Sequence, residues 1–92
     1  MADSLVSPDV VARYAADAAR EVDGVTGIVE GVRKGIRVED GEIELHLALR
    51  WGVSIPAVGS AVQAHVVDYL ERMADTRPAA VNVVVEEVDG SV

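Results

Sequence analysis

The stretch "GIRVEDGEIELHLALRWGVSIP", Gly35 to Pro56, decides the fold. Up to Trp51 it alternates apolar and polar residues, the period of a strand with one buried face. Asp40-Gly41 interrupts the alternation with a two-residue turn, in which both positions need a positive φ that Asp and Gly tolerate. Counting outward sets Val38 opposite Ile43 and Ile36 opposite Leu45 on one face. Arg37 then stands opposite Glu44 on the other face, an opposite-charge pair across the strands. One register satisfies both faces, so a β-hairpin is predicted. Its second strand continues inward through Leu47, Leu49 and Trp51, and outward through His46, Ala48 and Arg50. Gly52 ends it, Ser54 is positioned to cap a helix, and Pro56 fits that helix's first turn.

The flanks extend this pattern. Ser7-Pro8 is a helix start, with Asp9 in the first turn where the dipole favours an acid. Val11, Tyr14, Ala15, Ala18 and Val22 recur on one face, and Asp23-Gly24 closes the helix, giving about Pro8 to Val22. "VTGIVEGVRKG" has no single period; it reads as a short strand near Val25 to Val29, then a flexible connection through Gly31 to Gly35. In the second helix Val58, Val62, Val66, Tyr69, Leu70 and Met73 share one arc. Gln63, Asp68, Glu71, Arg72 and Asp75 lie outside or near its edges. Val67 points away, as either an ordinary exposed valine or part of a contact surface. "TRPAA" breaks the helix. "VNVVVEEV" is a last strand, with Val81, Val83 and Val85 inward and Asn82, Val84 and Glu86 outward. The expected fold is α+β: one small two-layer domain over 1–92, with two helices on one face of a three- to four-stranded sheet. The order is helix, weak strand, hairpin, helix, strand, with an ordered core over about 7–88 and frayed termini.

A chain of 92 residues buries roughly 60–65% of the surface its unfolded form exposes, enough for one two-layer core. Half the residues are hydrophobic and none is Phe. The core is therefore expected to be built from small branched side chains around Trp51, Tyr14, Tyr69 and Met73. The formal net charge of −8 opposes phosphate backbones and anionic membrane surfaces, and suits a basic partner. No cysteine is present, which removes disulfides, thiolate metal sites and a cysteine nucleophile. "MADSLVSPDVV" has no basic start and no long apolar run, and no stretch approaches a membrane span. A cytoplasmic protein is expected, with membrane association only through a partner.

Chemistry is scarce. His46 and His65 belong to no H-x-x-x-H or H-E-x-x-H spacing; the expectation is one solvated and one half-packed histidine. Asp68, Glu71 and Asp75 share one side of a helix. Catalytic carboxylates need burial and shifted pKa values, so a solvated acidic face open to a basic partner is the simpler reading. No G-x-S-x-G is present. "GVRKG" lacks the end of a P-loop. "GVTG", Gly24 to Gly27, has the form of an RNA-gripping GXXG loop but no basic residue inside it. No catalytic, cofactor-binding or metal-ligating residue is assigned, no cofactor is expected, and neither is nucleic acid.

The order of these pieces resembles a family, the Gram-positive envelope stress response proteins named for alkaline shock protein twenty-three and general stress protein twenty-four. The pieces are "VSPDVVARYAADAAREVDGV", "GIRVEDGEIELHLAL", "RWGVSIPAVGSAVQAHVVDYLERM" and "VNVVVEEV". Within them the family pattern is met by Trp51-Gly52, Ile55-Pro56, Gln63 and Val81-Asn82-Val83. Trp51 replaces the common Tyr, "DTRPAA" replaces the usual "TGL", and the segment after Gly27 is short. The resemblance spans about Val6 to Val88. It implies a non-enzymatic, cytoplasmic protein tied to cell-envelope stress. Some members are held by a small transmembrane anchor protein, and some self-assemble.

Two functions follow as expectations. The first is an envelope stress-associated scaffold acting through protein–protein contacts, docked to such an anchor and self-associating as a homo-oligomer. The second is a soluble regulatory module that binds another protein through the acidic second helix without self-assembly. The candidate interaction surface is Asn82, Val84, Val67, Asp68, Glu71 and Asp75.

Overall fold

A computed structural model describes residues 7–29 and 35–90. The hairpin residues build the sheet as the alternation predicts. Strands β2 (Ile36–Glu39) and β3 (Glu42–Arg50) are antiparallel, with Ile36 opposite Leu45, Arg37 opposite Glu44 and Val38 opposite Ile43. Asp40 and Gly41 take φ of 54° and 79°, the left-handed pair such a turn requires. Strand β1 (Val25–Ile28) pairs antiparallel with the other end of β3, so β1 and β2 lie end to end along one edge of it. Strand β4 (Ala80–Asp89) takes β3's opposite edge along its full length, and runs parallel to it. Parallel neighbours need a long crossover, and helix α2 (Ile55–Ala74) supplies it. The sheet is mixed and four-stranded, with β3 at its centre.

Both helices start on the capping residues that the sequence offers. The Ser7 hydroxyl accepts from the Val10 N–H ahead of α1 (Pro8–Glu21), with Val22 as its C-cap. The Ser54 hydroxyl accepts from the Ala57 N–H. A cap of this kind contributes about 1 kcal/mol. Gly24 turns the chain from α1 into β1 at φ 101°, and a Cβ there would meet Val58 of α2 at 3.0 Å. The position therefore demands glycine both for its backbone and for the close approach of the helix.

The helices cover one face of the sheet. Ala15, Ala18 and Ala19 of α1 pack with Val62, Val66 and Leu70 of α2 over Ile43, Leu45, Leu47 and Leu49. The small alanines let the two helices share that face. Tyr14 and Tyr69 meet at the seam between them, ring centroids 6.0 Å apart and both half-buried.

Two residues expected in the core lie outside it. Trp51 is 56% exposed, because β3 ends at Arg50 and the turn through Gly52 (φ 93°) breaks the alternation one residue early. Met73 is 51% exposed, three residues beyond Leu70, the last residue of α2 in the buried core. The core is thus aliphatic, with tyrosines at its rim. Val67 is half-buried and packs against the core. The connection read through Gly31 to Gly35, and both chain ends, lie largely outside the described residues.

Candidate functional site

The face of the sheet away from the helices carries the outward residues of β3 and β4. Ladder pairing sets Glu44 beside Asn82 and His46 beside Val84. The register then slips: Leu47 pairs with Val85 but Ala48 with Glu87, so Glu86 is an extra residue in β4. A bulge of this kind bends the strand and re-aims its side chains, and here it aims Glu86 at His46.

His46 sits between two carboxylates. Its Nδ1 lies 2.5 Å from Glu86 Oε2, and its Nε2 lies 2.5 Å from Glu44 Oε2. The side chain is only 18% exposed. Hydrogen bonds to Glu86 and then to Glu44 hold its pKa above the usual histidine value, against an opposing loss of hydration. The expected solvated histidine is therefore a paired one. Glu44 was legible as a partner at i−2 on the same strand face. Glu86 was not, because its position depends on the bulge.

His65 is the half-packed histidine. It is half-buried at the helix seam, with Nε2 2.7 Å from Glu21 Oε1 and its ring edge-on to Tyr69. Among the described residues, no group of three His, Cys, Asp or Glu side chains is placed to hold a metal ion.

Five of the six candidate surface residues divide between two places, and the sixth, Val67, packs against the core instead. Asn82 and Val84 are exposed on β4, whose outer edge has no strand beside it among the described residues. Asp68, Glu71 and Asp75 are exposed on or just after α2. Asp68 accepts from Arg72 at 2.9 Å, Glu71 accepts from Arg77, and Asp75 is the left-handed C-cap. Two of these three acids therefore face arginines of their own chain. Gln63 links α2 to the sheet, its amide donating to the Val81 carbonyl at 2.9 Å. At the end of β3 an apolar hollow of about 310 Å³ is lined by Trp51, Val53, Ile55 and Val88.

These features define a small α+β domain with one helix-covered sheet face, one polar face and a long strand edge that no other strand pairs among the described residues. No helix among the described residues is long and apolar enough to cross a membrane. The family profile of the Asp23 family, described as having a cell envelope-related function, matches residues 3–90. The chain belongs to the Asp23 family, as its sequence resemblance indicated. Comparison with curated protein sequences returns no match. The fold is shared with solved variants of MamM CTD. One has a TM-score of 0.61 at 21% identity, covering 88% of this chain and 98% of its own. Another has a TM-score of 0.59 at 23% identity, covering 86% and 95%.

Proposed function

We propose that the protein is a non-enzymatic scaffold of the cell envelope stress response, acting through protein–protein contacts. It pairs with a second copy of itself along the outer edge of β4, and docks from the cytoplasm to a membrane anchor protein. The observation that carries this reading is the edge itself. Ala80 to Val85 form an unbroken, uncharged stretch with no strand on its outer side among the described residues. Such an edge is a template for another strand.

Charge favours one orientation. The acids of β4 are gathered at its end, in Glu86, Glu87 and Asp89. Antiparallel pairing of two copies about Val84 sets Glu86 opposite Asn82 and Glu87 opposite Val81. In-register parallel pairing sets every glutamate against its own copy, which is destabilising. Val84→Lys places two lysines face to face at the centre of the antiparallel pair. In sedimentation at several concentrations it is expected to shift the protein towards monomer, and an unchanged association constant rules this edge out.

The alternative, docking of a basic partner on the acidic side of α2, has less support because Arg72 and Arg77 already face Asp68 and Glu71. Salt discriminates the two. Charge-driven docking weakens as salt rises, whereas strand pairing responds little.

A further inference from the structure

We infer that His46 is a proton-operated clasp between β3 and β4: its imidazolium holds the bulged Glu86 to the open face of the sheet, and losing one ring proton as pH rises lets the end of β4 loosen. The clasp stands on side-chain geometry and is independent of the self-pairing proposed above.

Between ionised carboxylates the geometry suits the doubly protonated ring. Both ring nitrogens lie 2.5 Å from carboxylate oxygens on opposite sides of the ring. A neutral imidazole has a single N–H; its other nitrogen is an acceptor. In the neutral ring, therefore, one nitrogen lone pair faces an ionised carboxylate at hydrogen-bond distance, which is repulsive. Only the imidazolium donates to both.

The surroundings concentrate the effect on Glu86. On β3 the near acid is Glu44, two residues away on the same face. From β4 come Val84, directly opposite, then Glu86, with Glu87 one ladder step further on opposite Ala48. On the β2 side Arg37 stands opposite Glu44. The backbone of His46 is held on that same edge: its carbonyl accepts from Val29 N–H and its N–H donates to the Gly35 carbonyl, each at 2.8 Å. The strand carrying His46 is thus fixed. Glu86, by contrast, has no partner in the β3 ladder, and the residues after it are exposed. That end is also held by the ladder pairs Glu87–Ala48, Val88–Leu49 and Asp89–Arg50, by the Trp51 N–H to the Asp89 carbonyl and by the Thr26 hydroxyl to the Asp89 carboxylate.

The sign follows from linkage. The folded-state pKa of His46 lies above its ordinary value of 6.5. The clasp is therefore fully present below the unfolded-state pKa, and is lost as pH rises through the folded-state value.

The test is a ring-nitrogen NMR titration of the full chain from mildly acidic to alkaline pH, with amide exchange of Glu87 and Asp89, whose N–H groups face β3, followed over the same range. The expected result is a His46 midpoint above the ordinary histidine value, with both ring nitrogens protonated below it, that drops back in Glu86→Gln. Exchange at these two amides, corrected for its intrinsic pH dependence, is expected to rise through the same midpoint. It is expected to be flat in His46→Gln and unchanged in His65→Gln, which removes the chain's other histidine. A His46 midpoint at or below the ordinary histidine value overturns the clasp. So does exchange that keeps its pH dependence in His46→Gln. The wild-type titration and the Glu86→Gln variant decide the matter even if His46→Gln folds poorly.

Discussion

In the first half of β4, Val81 is buried, Val83 and Val85 pack against the core, and Asn82 and Val84 turn outward. In the second half Glu86, Glu87, Val88 and Asp89 are all exposed, although Glu87 to Asp89 are still paired with β3. The two halves share one neighbouring strand and one direction. They differ in that a single extra residue, Glu86, lies between them. Edge strands are shielded from unwanted partners by bulges and charges, and the second half carries both. The first half carries neither. One strand therefore serves as a core element and a bare edge at one end, and as a guarded, side-chain-held edge at the other.

Substitutions on the two sides of the bulge measure that difference. The largest effect is expected beneath the first half. Leu45 pairs with Val83 and is fully buried, so Leu45→Ala leaves a cavity and should cost about 2–5 kcal/mol in denaturant unfolding. Gln63→Ala removes the amide that ties α2 to Val81, and should cost about 1 kcal/mol by the same measurement. Val88→Ala, in the second half and 38% exposed, should change stability by less than about 0.5 kcal/mol. If Val88→Ala matched Leu45→Ala, the two halves would share one core and the contrast would fail.

Much of this architecture could be read locally. The Asp40-Gly41 turn set the pairing of Val38 with Ile43 and of Ile36 with Leu45, and the structure reproduces both. Ser7-Pro8 and Ser54 with Pro56 placed the starts of both helices. These features depend on residues a few positions apart, whose backbone preferences act before any distant contact forms. Trp51 shows where that logic stops. It continues an alternation whose strand has already ended, so its periodicity predicted burial that the turn at Gly52 denies it.

The candidate surface was legible to a smaller extent. Alternation placed Asn82 and Val84 on the outward side of the last strand, but did not reveal which neighbour that strand would take or in which direction. His46 and Glu86 stand forty positions apart, and each looks like an ordinary polar residue on a solvated face. Only the parallel docking of β4 on β3, followed by the bulge, brings them to hydrogen-bond distance.

The sequence by itself thus determined the hairpin and its register, the caps and starts of both helices, and the facing of most strand residues, though not of Ala48, which was expected outward and is buried. The tertiary structure decided that β1 and β2 share one edge of β3, that β4 runs parallel along the other, and that Trp51 and Met73 stay outside the core. It also decided that His46 is gripped from both sides. The division has a physical cause: turns, caps and alternation are settled by neighbours in the chain, whereas strand order, bulge position and a two-sided histidine contact arise only when distant segments compete for the same buried surface.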